Sequence, residues 1–406
     1  MSGREQARPP VLPVSALGLL TIVAYGACYY AYGVLIQPIG TDTHWPDAAL
    51  GAIFSAILVI AGVLGIVAGR VLDRRGPRPV FLFAAVAGTG AMLAASAQSA
   101  LLTFAVAYAG GCGLVGALGF YHITQAAAAR AAPAAPARAI VWLTIFGAFS
   151  SPVYLPLTAW LVASAGWRDT IRIQAGTILA AFVLAAVLVK NPGGFRPGQP
   201  ADRAVGVLRD AWRSPPVRAW LLSALIGGAA VGALILYQVP VTARAGLPLG
   251  VAAAVAGFRG LAQLAGRLPL TGLTSKLGAC NTLVLAYAVG AIATLLLFVG
   301  GMLAPVLLLS LFAGASIGAV YTLQGIYAYE LINPRHLGMV LGIQQAVFAI
   351  GGAIGPAAAG ALLGATGSYM PAIIIITAGF AAAAGVLLLG RARDHTAASF
   401  SDAEGD

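Results

Sequence analysis

Two arginines and a glutamine in one apolar stretch of the chain could bind an anion. Arg259, Gln263 and Arg267 are spaced four residues apart, so a helix would carry them on one side as a polar stripe. No Asp or Glu lies near the middle of an apolar stretch to neutralise the two guanidinium groups. Because guanidinium binds carboxylate through two parallel hydrogen bonds, we predict an organic-anion site at Arg267 first and at Arg259 second.

A different role is open for either arginine. An arginine at the middle of a membrane helix is costly and by default marks a ligand or ion pathway. Its long side chain can instead reach the membrane surface, or donate to backbone carbonyls where a helix is broken. The sequence alone does not decide between these roles for Arg259 or for Arg267.

Aromatic and amide side chains on other apolar stretches could line a cavity around the arginines. Tyr25, Tyr29 and Tyr32 have the spacing i, i+4, i+7, which predicts one shared helix face. The other predicted lining residues are His122, Gln125, Gln324, Tyr327 and Gln344. For each tyrosine the alternative is packing within a helix bundle, or a place at the membrane surface.

Catalytic and metal chemistry find little support in the sequence. The four histidines and three cysteines are scattered and form no ligand or nucleophile motif, so we expect no metal, no cofactor and no enzyme activity. His122 is the one membrane residue that titrates near neutral pH. It could carry a co-transported proton, or it could simply hydrogen-bond a neighbouring helix.

The composition places these residues in a membrane. Sixty percent of the residues are hydrophobic and only 9% are charged, whereas soluble domains carry about 25% charged residues. Apolar stretches long enough to cross a bilayer recur twelve times, and they should be helices because lipid leaves strand edges unpaired. The predicted spans are 14–39, 48–70, 79–98, 100–129, 138–164, 168–189, 217–243, 249–275, 280–301, 303–331, 338–364 and 369–390.

The basic residues predict one orientation and two halves. With both termini inside, 18 of the 23 Lys and Arg residues lie on the cytoplasmic side, as the positive-inside rule requires. The net charge of +11 therefore indicates membrane orientation and not nucleic-acid binding. The long polar stretch divides the chain into an N-terminal bundle 1–190, a cytoplasmic linker 191–216 and a C-terminal bundle 217–406 with a short cytoplasmic tail.

The loop between the second and third predicted spans carries a compact motif. Gly69, Asp73, Arg74, Gly76 and Arg78 form the pattern G-x-x-x-D-R-x-G-x-R. We expect Gly69 to allow close helix packing, Asp73 to pair with a neighbouring helix end or an arginine, and Gly76 to turn the chain at positive φ. These five residues are the predicted gating elements.

This loop resembles the signature of the major facilitator superfamily. A weaker copy follows 202 residues later, with Thr271, Ser275 and Gly278 in place of the glycine, acid and second glycine. The resemblance implies an all-α membrane transporter with twelve transmembrane helices in two pseudo-symmetric six-helix bundles, which rock around a central site.

Three further segments resemble the monocarboxylate porter group and the oxalate–formate exchangers. They are Tyr25–Val34, Gly166–Arg168 and Gly266–Pro269, the last with the arginine that this group places in its pathway. The resemblance implies a lactate- or pyruvate-like substrate. However, Gln263 stands where some members have an Asp, and the eleventh span has Gln344 where the exchangers have a lysine, so the coupling stays open.

The alternative is an exporter of drugs or other amphipathic compounds, which would usually carry a membrane carboxylate. In either case we expect a multi-pass protein of the bacterial inner membrane with both termini in the cytoplasm. The expected partners are the lipid bilayer and a small organic anion, without nucleic acid, and the expected state is a monomer.

Overall fold

The structure is a computed structural model that describes residues 11–132, 136–189, 214–331 and 337–403. The described residues form helices joined by short turns and contain no β-strand. The predicted linker 191–216 lies outside the described residues except for its last three, and the predicted domain boundaries stay predictions. The terminal residues 1–10 and 404–406 also lie outside.

The first half of the chain contains eight α-helices and one π-helical turn among its described residues. They are α1 Val11–Tyr25, the π turn Gly26–Tyr30, α2 Ala31–Thr43, α3 Asp47–Arg75, α4 Pro77–Ser96, α5 Leu101–Gly119, α6 Tyr121–Ala131, α7 Pro136–Gly147 and α8 Ser150–Leu188.

The second half contains seven α-helices and one 3-10 turn in the described ranges. They are α9 Pro215–Arg244, α10 Leu249–Ala265, α11 Leu270–Leu277, α12 Ala279–Thr294, the 3-10 turn Leu295–Val299, α13 Leu303–Leu331, α14 Leu337–Thr366 and α15 Met370–Ala403.

These helices account for the twelve predicted spans. In the described part of the chain, ten segments are long and apolar enough to cross a membrane, and Leu249–Ala265 is a shorter apolar helix. One of the ten, Trp142–Leu188, has 47 residues and contains Gly166 at φ 78° and ψ 168°. Gly76 has nearly the same conformation between α3 and α4, so Gly166 separates two spans within α8.

The helices pack as two bundles that share three long contacts. Within the first half α3 packs on α5 and α4 packs on α8, and within the second half α9 packs on α14 and α15. Between the halves α3 contacts α14, α8 contacts α10, and α2 contacts α9.

The two halves meet closely on one face of the molecule. We call the face that carries the start of α1 and the turns at Gly76 and Gly278 the terminal face, and the other the opposite face. Near the opposite face, a Cβ on Gly51 of α3 would lie 3.1 Å from the Gly360 Cα of α14. Such a contact excludes side chains, so small residues are what permit it.

The halves separate toward the terminal face. Gly62 and Gly69 continue the same side of α3 as Gly51, yet a Cβ on either would meet no atom of the described residues within 4 Å. The close packing expected at Gly69 is therefore not seen among the described residues. In the described part of the chain, the halves are in contact near the opposite face and apart at Gly62 and Gly69.

Candidate substrate cavity

Helix α10 holds Arg259 and Gln263 between α8 and α13. A Cβ on Gly314 of α13 would overlap the carbonyl oxygen of Arg259, and one on Gly318 would overlap that of Gln263. On the other side, a Cβ on Gly257 would lie 3.0 Å from the Ser151 carbonyl oxygen of α8. Glycines on two sides thus let the backbone of α10 sit tightly at the boundary of the two halves.

Arg259 is a buried cation without a negative partner in the described part of the chain. The residue is 2% exposed, and its Nε and Nη1 atoms have no hydrogen-bond partner there. The groups that interact with it electrostatically are the hydroxyls of Tyr29, Tyr30 and Tyr321. Tyrosine is uncharged at neutral pH, so these hydroxyls do not neutralise the guanidinium. An unpaired buried charge of this kind is destabilised by several kcal/mol.

Arg267 lies at a break in the eighth span. The structure ends α10 at Ala265 and starts α11 at Leu270, whereas one continuous helix was expected. Pro269 explains part of the break, because it has no N–H to donate to the carbonyl four residues before it. The Arg267 side chain is half-buried, its Nε has no partner among the described residues, and it interacts electrostatically with Tyr121.

The π turn decides which tyrosines face the arginines. The Ala31 N–H donates to the Gly26 carbonyl, an i to i−5 bond that adds one residue to the turn. Tyr30 is the last residue of this turn, and it interacts electrostatically with Arg259 of α10.

Tyr32 does not join the other tyrosines, contrary to the predicted spacing. Its side chain is fully buried, and its hydroxyl donates to the Leu50 carbonyl at 2.8 Å. Its ring lies 6.3 Å from that of Phe54 and 5.3 Å from that of Tyr108. The expectation assumed 3.6 residues per turn, and the π turn between Tyr29 and Tyr32 changes that register.

Aromatic rings from the first half surround the exposed edges of these tyrosines. The Tyr25 ring stacks on Phe120 with centroids 4.1 Å apart and lies 5.0 Å from Tyr121. The Tyr29 ring lies 5.1 Å from that of Tyr30. Phe120 and Tyr30 were not among the predicted site residues. The adjacent aromatic pairs, 29–30 and 120–121, were the available signal for both.

The second half contributes one further ring pair. Tyr321 of α13 is 37% exposed, and its ring centroid lies 5.2 Å from that of Phe348 on α14. Tyr321 interacts electrostatically with Tyr30, Arg259 and Tyr121, so it faces the first half across the cavity. Sequence reasoning missed both residues because no local spacing on α13 or α14 singles them out.

Two predicted lining residues belong to the interior of the second half. Gln324 is 3% exposed, and its Nε2 donates to the Tyr287 hydroxyl at 3.0 Å. Tyr327 is 7% exposed. Gln324 therefore faces α12 inside its own bundle and does not face the first half, as a lining residue between the halves would.

The other predicted polar residues lie nearer to the separated side of the halves. His122 is exposed on α6, and its Nε2 lies 3.0 Å from the Ala117 carbonyl. Gln125 is half-buried on the same helix, and Gln344 of α14 is 5% exposed. None of these three is among the groups that interact with Arg259.

The signature loop has the same backbone geometry in both halves. Gly76 and Gly278 both adopt positive φ, 79° and 78°. The Gly76 N–H donates to the Leu72 carbonyl at 3.0 Å, and the Gly278 N–H donates to the Thr274 carbonyl at 2.9 Å. The expected turn at Gly76 is confirmed. Its copy 202 residues later shows that the two halves are structural repeats.

Arg130 ties α6 to this loop. Its Nη1 donates to the Leu72 carbonyl at 2.9 Å, the same oxygen that accepts from Gly76. The side chains of Asp73 and Arg74 lie outside what the structure describes, and Arg78 is exposed. The gating roles predicted for the charged residues of the loop stay predictions.

A second cavity lies on the opposite face and has different chemistry. It has a volume of about 600 Å³ and is lined by Gln37, Pro38, Thr41, Asp42, Ala243, Leu247 and Leu249. The Asp42 carboxylate accepts from Trp167 Nε1 at 3.0 Å and from Arg168 Nη1 at 2.7 Å. This acid is already paired within the first half, so the outer cavity lacks an unpaired charge to hold an ion.

Comparison with known proteins gives the same architecture. The family model described as Major Facilitator Superfamily matches residues 17–303 and 246–405. No curated protein sequence matches the chain significantly. The crystal structure of a mutant of the nucleoside transporter NupG superposes with a TM-score of 0.80 at 11% identity, covering 93% of this chain and 99% of that one.

A second solved structure is a bacterial homolog of the human lysosomal transporter Spinster, in an inward-facing and unoccupied conformation. It superposes with a TM-score of 0.70 at 14% identity and covers 94% of this chain and 95% of that one. At these identities the superpositions show the fold alone. The family match spans most of the chain, and the described helices form two bundles. The protein is a multi-pass membrane transporter that belongs to the Major Facilitator Superfamily.

Proposed function

We propose that the protein transports a small organic anion, a monocarboxylate of the lactate or pyruvate kind, by alternating access. The observation that carries this proposal is the buried guanidinium of Arg259 with two unpaired nitrogens. A carboxylate would accept hydrogen bonds from this guanidinium and neutralise its charge. A neutral substrate would leave the charge unpaired.

The structure changes the order of the two arginines in the proposal. Arg267 was the first choice from the sequence, but it lies beyond the end of α10 and is half-buried. Arg259 is deeper and faces Tyr30 of the first half and Tyr321 of the second. We therefore assign the substrate carboxylate to Arg259, and we assign Arg267 to an approach position nearer the terminal face.

The conformation suits the uptake or release of substrate at the terminal face. In the orientation predicted by the positive-inside rule, this face is cytoplasmic. The structure then corresponds to an inward-open carrier, whose closed outer junction is the contact of Gly51 with Gly360. The proposed setting is a bacterial inner membrane with both termini in the cytoplasm and a monomeric carrier.

A neutral, nucleobase-containing substrate is the second candidate, because aromatic rings line the cavity and NupG is a nucleoside transporter. An amphipathic drug is a third, although the described cavity residues include no carboxylate. Both alternatives leave Arg259 without a counter-ion, which is why we place them behind the organic anion.

Uptake into proteoliposomes tests the proposal. Radiolabelled lactate, pyruvate and uridine would be offered to the wild type and to Arg259→Gln, with and without an inward proton gradient. We expect uptake of a carboxylate that the substitution abolishes, and the response to the gradient decides whether a proton accompanies it. Uptake of uridine alone, undiminished in the variant, would overturn the anion assignment.

A further inference from the structure

Five tyrosines with partly exposed side chains lie near the two arginines, four of them in electrostatic contact with an arginine and the remaining one, Tyr25, in contact with the other tyrosines. Four belong to the first half and are half-buried, and the fifth, Tyr321, is 37% exposed. A lactate-sized anion needs one arginine and one or two hydrogen-bond donors. The cavity offers far more ring surface than such an anion can cover. The four tyrosines of the first half are Tyr25, Tyr29, Tyr30 and Tyr121.

The rings stand on both sides of the cavity. On one side Tyr25 stacks on Phe120 at 4.1 Å. On the other side Tyr321 packs on Phe348 at 5.2 Å. Tyr321 interacts electrostatically with Tyr25 as well as with Arg259. One ligand could therefore touch ring faces from both halves while its charge reaches the guanidinium.

We propose that the preferred substrate is an aromatic carboxylic acid, whose ring binds between Tyr321 and the tyrosines of the first half. This inference rests on the proposed function and narrows its substrate class. Aromatic pairs add favourable energy beyond the area they bury. Tyrosine also supplies hydroxyls that can bond a polar substituent next to the carboxylate. The ring of the ligand would replace water between the two halves and link them.

The position of the charge favours an acid over a neutral aromatic compound. Arg259 is 2% exposed and has two nitrogens without a partner among the described residues. Gln263, one turn further along α10, is half-buried and uncharged. A nucleoside would use the rings but would leave the guanidinium unpaired.

A matched pair of acids tests the inference in the full-length protein. Lactate and 3-phenyllactate have the same carboxylate and hydroxyl and differ by one phenyl ring. We expect 3-phenyllactate to compete for uptake at about tenfold lower concentration than lactate, because it buries an additional ring. A third acid, 3-cyclohexyllactate, should fall about threefold behind 3-phenyllactate, since it has similar bulk without the aromatic face.

Two substitutions of Tyr321 test whether its ring causes the preference for 3-phenyllactate over lactate. Tyr321→Leu removes the ring and should reduce the ratio of phenyllactate to lactate affinity about tenfold. Tyr321→Phe retains the ring and should retain the ratio. Tyr108→Phe, in the buried core of the first half, is the matched control for loss of a hydroxyl.

The outcomes separate this inference from the proposed function. If the protein transports lactate without preferring 3-phenyllactate, the proposal of an aromatic substrate is wrong, and the proposal of an organic-anion carrier is retained. A preference that survives in Tyr321→Leu would overturn the assignment of the ring to this wall. Transport of uridine and of neither acid would overturn both proposals.

Discussion

The two halves of the protein share their turns but differ in the chemistry they bring to the cavity. Gly76 and Gly278 have the same backbone conformation 202 residues apart. At the cavity, however, the second half supplies the cations Arg259 and Arg267, and the first half supplies most of the rings. The two halves therefore have the same backbone conformation at these turns, and they differ in the side chains near the arginines. A ligand with a charged end and an apolar body would fit this division.

The strongest test of this division removes the buried cation. Arg259→Gln should weaken carboxylate binding by at least about thirtyfold, since truncating one partner of a buried charge pair costs about 2–5 kcal/mol. The measurement is the concentration dependence of uptake in proteoliposomes.

Arg168→Gln is the matched control for Arg259→Gln. Arg168 pairs with Asp42 on the opposite face, and a surface pair contributes about 1 kcal/mol or less to stability. We expect substrate affinity in this variant to stay within about twofold of the wild type. If both variants lose affinity equally, the second half does not hold the anion through Arg259.

The next test disturbs the packing of the charged helix. Gly318→Ala places a methyl group against the Gln263 carbonyl oxygen, which should lower the free energy of unfolding by about 1–3 kcal/mol. Thermal unfolding in detergent would measure this loss. Gly325→Ala, on the same helix, meets no atom within 4 Å and should leave the melting temperature unchanged or slightly higher. Equal melting temperatures for the two variants would contradict the close packing of α10 against α13.

A smaller effect is expected at the second cation. Arg267→Gln should weaken uptake about tenfold, because Arg267 is half-buried and water screens part of its attraction for an anion. This effect should shrink as the salt concentration rises, whereas the effect of Arg259→Gln should persist. An identical salt dependence in the two variants would show that the arginines do not differ in depth as described.

The smallest effect is expected at Tyr30, a residue of the first half that interacts with Arg259 of the second half. Tyr30→Phe removes a hydroxyl that interacts with Arg259 and could bond the substrate, and a neutral hydrogen bond contributes about 0.5–1.5 kcal/mol. We expect a loss of affinity of about threefold, measured by competition with unlabelled substrate. Tyr108→Phe again serves as the control, and a larger loss there would refute the assignment of Tyr30 to the site.

Hydropathy and glycine positions predicted the fold well, because both act locally along the chain. Apolar length predicted the long helices, and Gly76 predicted a turn at positive φ. The sequence also drew attention to Arg259, as the second choice after Arg267, because an arginine in an apolar helix is unusual; its role stays a proposal.

The walls of the site could not be predicted in the same way. The π turn at Gly26–Tyr30 changes the helical register, so a spacing rule selected Tyr32 and missed Tyr30. The structure brings Tyr321 of the second half near Tyr30 and Tyr121 of the first half, and no local spacing predicts this. Gln324 was predicted to line the site, but its amide bonds Tyr287 within its own bundle. The local π turn decides the first of these outcomes, and contacts between distant helices decide the other two.

The central claim is that Arg259 recognises the negative charge of the substrate. It is tested most directly by comparing 3-phenyllactate with its uncharged amide, 3-phenyllactamide, as competitors in wild type and in Arg259→Gln. We predict that the wild type prefers the acid by at least about thirtyfold and that the variant loses this preference. An undiminished preference for the acid in Arg259→Gln would show that another group binds the carboxylate.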